Sequence, residues 1–373
     1  MKFQADREVL SDAISFVVRM LSPRPQLPQL SGVMLEAKQG SLNLSVFDYE
    51  VSANVDIQAN TDKEGKVLVQ ARLLAEIVRK LPADSVSFDL TDSRLQVVSG
   101  SSKFSLSAMS TSEYPTAPEA PEASATIAAE DFADAVGQVS VAASREEVTP
   151  VLTGVMMNVG AKTVSFVATD RFRVAVRDLP SKGSKAEKEV LIPARVMAEI
   201  AKTFSHDKEI EVGLGAQDKE LVSFRAGGKT VVSSTIKGKY PAVLQLFPDS
   251  TPHFAVINTH ELLDATRRVG LVVDRDKPVR YRFQEGEVSL ESIGSDVADA
   301  SEQLTCSLTG EEVVVSLKPQ FLVDALGAIE SEMVQIGFTT NPNNPNKPGP
   351  VLLSPVGSDN SYRYLLQPNL LVS

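Results

Sequence analysis

The sequence predicts an α+β protein made of three tandem copies of one domain, each with two helices on antiparallel sheets. Two similar amphipathic strings, "VQARLLAEIVRKL" at 69–81 and "IPARVMAEIAKTF" at 192–204, stand 123 residues apart (192 − 69). A third related string, "SLKPQFLVDALGAI", occupies 316–329. The 373-residue chain holds three units of that length. Solenoid repeats are usually about 20–50 residues long, so these units are duplicated domains.

Each repeat opens with a predicted helix that has an acidic or polar start and apolar residues at helical spacing. The three strings are "EVLSDAISFV" at 8–17, "EDFADAVGQV" at 130–139 and "HELLDATRRV" at 260–269. Predicted strands follow, and the stretch 31–53 resembles 153–175, with Asp48 and Asp170 at the same offset. Because each aspartate follows a strand, we expect it to form a turn or cap a helix.

The second helix of each repeat follows a short β-type run, and its apolar residues form one stripe. These runs are "VLV" at 67–69, "VLI" at 190–192 and "VVV" at 313–315. Alternating runs such as 229–236 predict half-buried strands. Proline-rich linkers at 115–126 and 247–254 separate the repeats, and they predict domains at 1–122, 123–250 and 251–373.

The composition is that of a soluble globular protein, and we expect it to be cytoplasmic. Hydrophobic residues make up 43% of the chain, and the N-terminus "MKFQADREVL" lacks the apolar stretch of a secretory signal. Cys306 is the single cysteine, so no internal disulfide forms, which fits a reducing compartment. The net charge of −11 argues against ordinary phosphate binding, which needs a basic excess.

No catalytic or metal-binding motif is present in the sequence, so we expect a protein that is not an enzyme and has no cofactor. The three histidines, His206, His253 and His260, do not have the spacing of a metal site. The string "GGKT" at 227–230 lacks the earlier glycine of a phosphate-binding loop, because Ser223 stands there, and it predicts a hairpin turn.

Motifs along the whole chain resemble one known family, the bacterial sliding clamps, which are the beta subunits of DNA polymerase III. The resemblance rests on "MKF" at the start, "RPQLPQLSGVML" (24–35), "SKFSLSAM" (102–109), "PVLTGV" (150–155), "ATDRFRVAV" (168–176), "KGKYPAVLQLFP" (237–248) and "YRYLLQP" (362–368). It implies three clamp domains per chain and a head-to-tail homodimer. The resulting six-domain ring would encircle duplex DNA and tether the replicative polymerase as a processivity factor.

A ring of this kind gives the repeated helices a purpose. Twelve helices with axes about 9 Å apart would form a circle about 35 Å across and leave an opening of roughly 23–25 Å. A ring holds DNA by topology, so a few mobile basic contacts suffice. The DNA-facing candidates are Arg24, Arg72, Arg79, Lys80, Arg195 and Lys202, of which the resemblance favours Arg24 and Arg72. A solvated surface charge is the alternative interpretation of each.

The resemblance also implies a cleft between the second and third domains for short partner peptides with an early Gln and later Leu and Phe. Its expected partners are the polymerase III alpha subunit, the clamp loader, other polymerases and repair proteins. The matching positions are Leu152, Thr169, Arg171, Phe172, Arg173, Val174, Pro241, Leu246, Leu365, Leu366, Gln367 and Pro368. For Leu152 and Val174, core packing is the interpretation from the residues alone.

The C-terminal residues depart from the family pattern. The family commonly ends in Met-Pro-x-Arg-Leu, whereas this chain has "QPNLL" at 367–371. Gln367 is more polar than the flexible methionine it replaces, which predicts a different peptide or inhibitor preference. Three alternatives stay open: a second-copy clamp that tolerates inhibitors, a ring scaffold that does not bind DNA, and an enzyme with duplicated domains.

For the dimer interface, the sequence predicts pairing between two strand edges. The stretch 103–109 has the pattern of an edge strand with Phe104 and Leu106 on one side. We expect the segment "VGLVV" at 269–273 of the other chain, with Leu271 and Val272, to pair with it.

Overall fold

The computed structural model describes residues 1–182, 187–215, 220–274, 277–293, 298–341, 344–357 and 361–369. They form two compact units, and the boundary between the units passes through the second repeat. The first unit consists mainly of 1–133 and 195–235, and the second mainly of 134–180 and 236–369.

The first repeat contains two helices and nine strands. Its elements are β1 (Lys2–Asp6), α1 (Arg7–Met20), β2 (Gly32–Lys38), β3 (Ser41–Phe47), β4 (Val51–Gln58), β5 (Asn60–Lys63), β6 (Gly65–Gln70), α2 (Ala71–Arg79), β7 (Ser85–Thr91), β8 (Arg94–Ser99) and β9 (Ser102–Ser107). A 3₁₀ turn at Pro28–Ser31 precedes β2.

The second repeat has the same element order without a counterpart of β5. It contains β10 (Ala123–Ala128), α3 (Ala129–Ser140), β11 (Gly154–Val159), β12 (Thr163–Thr169), β13 (Arg173–Pro180), β14 (Lys188–Pro193), α4 (Ala194–Phe204), β15 (Glu209–Leu214), β16 (Leu221–Ala226) and β17 (Lys229–Ser234). A 3₁₀ turn at Pro150–Thr153 again precedes the second strand, and another lies at Val243–Leu246 after the repeat.

The third repeat follows the same order once more. It contains β18 (His253–Asn258), α5 (Thr259–Gly270), β19 (Val279–Gln284), β20 (Gly286–Ser292), β21 (Ser301–Thr309), β22 (Val313–Leu317), α6 (Pro319–Gly327), β23 (Met333–Asn341), β24 (Asn344–Pro355) and β25 (Tyr362–Leu366). The six helices predicted from the sequence are therefore all present, with ends that differ from the prediction by a few residues.

Strand order is also the same in the three repeats, and all pairs are antiparallel. The first four-strand group is β6-β2-β3-β4, then β14-β11-β12-β13, then β22-β19-β20-β21. The second group is β1-β7-β8-β9, then β10-β15-β16-β17, then β18-β23-β24-β25, and β5 adds to β1. This order confirms the predicted fold of three tandem α+β domains.

Consecutive repeats are joined edge to edge by one recurring pairing. The last strand of the second repeat, β17, pairs with Val51–Val55 of β4 in the first. The last strand of the third repeat, β25, pairs with Arg173–Arg177 of β13 in the second. In both cases the first five residues of the receiving strand make the contact. These joints extend the sheets across the boundaries between repeats.

The helices α1, α2 and α5 begin where a polar side chain caps free backbone amides. Asp6 accepts hydrogen bonds from the amides of Glu8 and Val9, and so it starts α1 directly after β1. Gln70 starts α2 in the same way, and Asn258 starts α5. α1 packs against α2 and on β3 and β4, while α5 packs against α6 and on β20 and β21. The apolar stripe of each of these helices thus faces its sheet.

Candidate functional site

An apolar cluster forms where β13 meets β25 in the second unit. Val174 lies opposite Leu365 in the pairing, and Arg173 lies opposite Leu366. Val174 and Leu365 pack with Val243, and the partly buried rings of Tyr240 and Phe247 cover this group, whose other buried members are Val167 and Val176. The pairing of β13 with β25 therefore brings together residues of the second and third repeats that the sequence assigned to the cleft.

The turn between β12 and β13 carries the polar edge of this cluster. Asp170 Oδ1 accepts hydrogen bonds from the amides of Phe172 and Arg173 at 3.1 and 3.2 Å. Thr169 Oγ1 donates to the Arg173 carbonyl at 2.7 Å and accepts from the Arg171 amide at 3.2 Å. Arg171 has a φ of 80°, in the left-handed region that the turn requires. The expected turn role of Asp170 is what the structure shows.

Arg173 is buried and holds three parts of the second unit together. Its Nε donates to Asp170 at 2.8 Å, and its Nη1 donates to Asp324 of α6 at 2.6 Å and to the Tyr364 hydroxyl of β25 at 3.1 Å. The guanidinium also lies over the Phe321 ring, 4.3 Å from its centroid. Burial lowers the pKa of Arg173, but Tyr364, Asp324 and Asp170 outweigh burial and raise it, so the side chain stays charged.

Sequence reasoning did not assign Asp324, Tyr364 or Phe321 to this site. Two features of the sequence single out Asp324 and Tyr364. Asp324 stands at the acidic position that Glu76 and Glu199 hold in the other second helices. Tyr364 belongs to the "YRYLLQP" motif at 362–368. Their meeting with Arg173 depends on contacts across 151 and 191 positions of sequence, which no local pattern reveals.

The other residues predicted to line the cleft differ in how far they are exposed. The Gln367 amide donates to the Phe172 carbonyl at 2.8 Å. The Gln367 side chain is exposed, whereas Leu366 and Pro368 are buried. Pro241 is exposed, and its carbonyl accepts a hydrogen bond from the Val243 amide.

Two leucines complete the set. Leu246 is 55% exposed at the end of the Val243–Leu246 turn, whereas Leu152 is buried in the turn before β11. No contact described for Leu152 connects it to the cluster, so its place in the cleft stays a prediction. The last two residues of the departing tail, Leu370 and Leu371, lie outside the described residues.

A cavity of about 860 Å³ lies beside Phe172 and Arg173. Its walls include Phe321, Pro319 and Val323 of α6, and the C-terminal end of α5 with the turn after it. Phe172 is 59% exposed, and its ring lies 6.3 Å from that of Phe321 with 27° between the planes. The volume is in the range of about 300–1,000 Å³ typical of ligand pockets.

The first repeat has a counterpart of the β12–β13 turn, between β3 and β4, in which a phenylalanine side chain fills the space beside the turn. Asp48 Oδ1 accepts from the amides of Glu50 and Val51, and Tyr49 has a φ of 74°. Phe47 stands where the second repeat has Thr169, and the Tyr114 hydroxyl accepts a hydrogen bond from its amide at 2.8 Å. Burial raises the pKa of Tyr114 to about 12. Phe47, only 8% exposed, fills the position that is small and polar in the second repeat.

The six basic candidates for DNA contact all lie exposed in the first unit. Arg72 and Arg79 stand seven residues apart on α2, as Arg195 and Lys202 do on α4, so each pair shares one helix face. Lys80 follows at the end of α2. The Arg72 side chain donates to the Ser22 carbonyl at 3.3 Å, and the Arg24 amide donates to the Ser22 hydroxyl at 3.3 Å. Ser22 thus brings Arg24 and Arg72 together.

Among the sheet edges in the described residues, those of β9 and β21 bear on the expected dimer contact. β9 pairs only with β8, so its outer edge is free. β21 pairs with β20 along one side. Along its other side only Cys306–Thr309 pair with β18, so the backbone of residues 301–305 is unpaired on that side. These are the first five residues of β21, and the equivalent residues of β4 and β13 receive a last strand from the following repeat.

The expected strand at 269–273 is wrong. Val269 and Gly270 end α5, and residues 271–273 form a turn, because the helix started by Asn258 continues to Gly270. Leu271 is 83% exposed and Val272 is partly exposed. Of the β9 candidates, Phe104 is 39% exposed, while Leu106 is buried in its own sheet at 4%. The backbone edge of the third repeat that is equivalent to the strand-receiving edges of β4 and β13 therefore belongs to β21.

Within the described ranges, no group of three or more His, Cys, Asp or Glu side chains is arranged to hold a metal ion. In the same part of the chain, no helix is long and apolar enough to cross a membrane.

Three family models match the chain in succession. Residues 1–118 match the N-terminal domain of the DNA polymerase III beta subunit, 126–242 match its central domain, and 244–368 match its C-terminal domain. Together they cover most of the sequence, one model for each repeat.

Individual relatives agree with these matches. The chain is 38% identical to the beta sliding clamp of Streptomyces coelicolor over 377 residues, covering 99% of each chain. It is 41% identical to that of Micrococcus luteus over 311 residues, covering 83% of this chain and 100% of the relative. A crystal structure of the Pseudomonas aeruginosa sliding clamp bound to griselimycin is similar in fold, with a TM-score of 0.90, 24% identity and full coverage of both chains.

Proposed function

Because the chain belongs to the family of DNA polymerase III beta subunits, the beta sliding clamps, it is a processivity factor of DNA replication, and we propose how its own residues carry out that role. Two chains form a ring around duplex DNA, and a cleft in each chain tethers the polymerase. The ring acts without catalysis in the cytoplasm, where bacterial DNA is replicated. The three matches in succession carry this conclusion.

The proposed domains are 1–122, 123–250 and 251–373. The three equivalent sets of elements support this division, since each starts with a strand and a helix just after a proposed boundary. The third family model begins slightly earlier, at residue 244, so it includes most of the Val243–Leu246 turn before β18.

The proposed ring closes where β9 of one chain meets β21 of the other. The joints β4–β17 and β13–β25 show that the last strand of one repeat adds to the first five residues of another repeat's fourth strand. Applied once more, the rule pairs β9 with residues 301–305 of a second copy, which satisfies both free edges. Phe104 and Leu271 are the exposed apolar side chains that this contact would cover.

Duplex DNA is proposed to pass through the ring and to meet Arg24, Arg72, Arg79, Lys80, Arg195 and Lys202. Their exposure and the matched pairs on α2 and α4 support this role. Few phosphate contacts are needed, because the ring holds DNA by enclosing it. An overall charge of −11 then disfavours binding elsewhere on the protein.

Retention on closed DNA is the experiment that tests the proposed function. We expect protein placed on nicked circular plasmid by a clamp loader to stay bound through gel filtration and to be lost when the plasmid is cut once. Topological enclosure requires this result, because a ring can leave only over a free end. A scaffold that does not bind DNA would be retained on neither form. Tight, salt-sensitive binding to a short linear duplex would contradict enclosure.

Removing basic side chains should have a modest effect. We expect Arg24→Ala combined with Arg72→Ala to reduce the efficiency of loading about two- to fivefold, since two mobile phosphate contacts are lost. The lifetime on closed circles should not change, because closure does not depend on these residues. Lys38→Ala with Lys66→Ala, which removes two charges outside the candidate set, is the matched control. A shortened lifetime on circles would contradict the assignment.

The cleft between β13 and β25 is proposed to bind partner peptides with an early Gln and later Leu and Phe. The candidate partners are the polymerase III alpha subunit, the clamp loader, other polymerases and repair proteins. The apolar cluster under Val174 and Leu365 supports this role, and the exposed Leu246 at its edge offers further apolar surface. The equivalent place in the first repeat is filled by Phe47.

Leu246 provides a direct test of the cleft. We expect Leu246→Ala to weaken binding of the synthetic peptide Gln-Leu-Ser-Leu-Phe about tenfold in calorimetry, since burial of a Leu side chain contributes about 1.5–3 kcal/mol. Leu244→Ala is the matched control, because Leu244 lies on the same turn and is similarly exposed, at 48% against 55%. Equal losses in the two variants would remove Leu246 from the proposed cleft.

A further inference from the structure

The turn between β3 and β4 exposes an aromatic side chain that neither the proposed dimer contact nor the proposed peptide cleft uses. Tyr49 has a φ of 74° and is 58% exposed. Its ring centroid lies 5.7 Å from that of Phe47, with 52° between the two planes. Because Phe47 is buried, it supports the tyrosine from the protein side and leaves the rest of the tyrosine ring open to solvent.

Ser22 connects this turn to two of the basic side chains that are proposed to meet DNA. The Ser22 amide donates a hydrogen bond to Asp48 Oδ2 at 3.2 Å, directly before Tyr49 in the chain. The Ser22 carbonyl accepts from the Arg72 guanidinium, and the Ser22 hydroxyl accepts from the Arg24 amide, each at 3.3 Å. One serine thus brings an exposed aromatic side chain and two arginines into the same part of the first unit.

We propose that Tyr49 stacks on an unpaired base of single-stranded DNA whose phosphates pair with Arg24 and Arg72. The inference rests on the proposed function, because it concerns two of the same arginines, and it adds a site for the single-stranded template beside the enclosed duplex. Proteins that bind single strands combine basic side chains along the backbone with aromatic rings that stack on bases. The first unit offers both parts of such a site.

The preference for a single strand follows from the exposed tyrosine ring. A base in a duplex must leave its stack before a protein side chain can cover its face, and this costs free energy. A base in a single strand offers its face without that cost. Because the template ahead of a growing primer is single-stranded, the substrate of a replicative polymerase supplies such bases next to the duplex.

The charges around Tyr49 suit a phosphate backbone. The Asp48 carboxylate lies beside it and accepts hydrogen bonds from the amides of Ser22, Glu50 and Val51. Amide donors of this kind stabilise a carboxylate and compensate part of its charge. Glu50 is the exposed carboxylate of the turn. The two arginines bound through Ser22 therefore outnumber it, which leaves this part of the surface positive.

The second repeat indicates a further apolar side chain near Tyr49. Arg171, the equivalent residue there, has a φ of 80° and donates to the Thr149 hydroxyl at 2.6 Å. Thr149 directly precedes a 3₁₀ turn that begins with proline, and Leu27 precedes the equivalent turn in the first repeat. Leu27 is 49% exposed. We therefore expect Leu27 to lie beside Tyr49 and to extend the apolar surface offered to the base.

A fluorescent oligothymidylate of about 16 nucleotides tests the stacking. Its dissociation constant with the full-length protein is measured by fluorescence anisotropy at low ionic strength, where phosphate contacts are strong. We expect Tyr49→Asn to raise this constant about tenfold, since one stacked base is lost. Asparagine is chosen because it tolerates the left-handed backbone at this position. Tyr49→Phe, which keeps an aromatic ring, should bind as the parent does.

Two matched ligands separate stacking from phosphate binding. An abasic oligonucleotide of the same length carries the same phosphates without bases, so it should bind the parent and Tyr49→Asn with equal, weaker affinity. A duplex of the same length should also bind both proteins equally, because its bases are already stacked. Arg24→Ala combined with Arg72→Ala should weaken binding of the oligothymidylate and of the abasic strand alike.

The site is located independently by crosslinking to a strand that carries 5-iodouracil. Irradiation should attach this strand to the peptide that contains residue 49, as identified by mass spectrometry. The proposal would be overturned if the crosslink lay elsewhere, if Tyr49→Asn bound the oligothymidylate as tightly as the parent, or if the abasic strand bound the parent equally well. Tyr49→Asn should stay on closed circular DNA as the parent does. Failure of the parent to be retained on circles would instead refute the proposed function.

Discussion

Phe104→Glu is expected to convert the dimer into monomers, with the dimer dissociation constant raised at least about a thousandfold. The substitution removes an aromatic ring from the proposed contact between β9 and β21 and would bury an unpaired carboxylate there. Both effects together exceed about 4 kcal/mol, and each factor of ten in affinity corresponds to about 1.4 kcal/mol. Because the ring has two such contacts, both are lost at once. Sedimentation velocity over a range of protein concentrations measures the change.

The chain offers a matched control for this experiment. Val314 lies on the edge strand β22 and is 37% exposed, close to the 39% of Phe104, but no proposed contact covers it. Val314→Glu should leave the dimer intact. Leu271→Glu should weaken the dimer from the opposite side of the same contact. A Phe104→Glu protein that dimerises as tightly as the parent would refute the pairing of β9 with β21.

Arg173→Met should destabilise the second unit by about 3–5 kcal/mol. The substitution leaves the carboxylates of Asp170 and Asp324, whose side chains are only 13% and 18% exposed, without their cation. Breaking one partner of a buried ion pair has costs of this size. For a unit of roughly 150–250 residues, the melting temperature should fall by about 6–20 °C, as measured by calorimetry.

A second variant distinguishes two causes of the lower stability, the loss of the ion pairs and the loss of the arginine side-chain volume. Asp324→Leu in the Arg173→Met background removes one orphaned carboxylate and should restore part of the stability. Arg363→Met is the matched control, since Arg363 lies on β25, the strand paired with β13, and forms an ion pair with Asp178 at 34% and 36% exposure. That surface pair should contribute about 1 kcal/mol or less. If Arg173→Met and Arg363→Met reduced the stability equally, the buried ion pairs of Arg173 would not be important for the stability of the second unit.

The helices could be predicted from the sequence because their apolar stripes recur in the same order three times. The predicted strings at 69–81, 192–204 and 316–329 became α2, α4 and α6. The edge strand β9 was also found, since "KFSLSAM" at 103–109 alternates clearly. These signals are local, and the repeat made each one visible in triplicate.

The features that sequence reasoning missed depend on distant contacts or on weak alternation. β21, with the string "SEQLTCSLT", alternates only weakly, so its free edge carried no strong strand signal. The apolar "VGLVV" at 269–273 attracted the prediction instead, although the helix from Asn258 extends into it. Arg173 was interpreted as a peptide contact, which stays a prediction, and its hydrogen bonds to Asp324 and Tyr364 were not foreseen.

The two edges that are proposed to meet in the ring, those of β9 and β21, are different from each other, and this has a kinetic consequence. A contact between β9 and β21 joins unlike surfaces, so a closed pair of chains contains the same joint twice. Opening one joint admits or releases DNA while the other still holds the two chains together. The residence time on a circular chromosome is then set by the opening rate of a single joint, and the bulk dimer dissociation constant does not report it. A variant can therefore remain dimeric at every concentration tested and still leave DNA early.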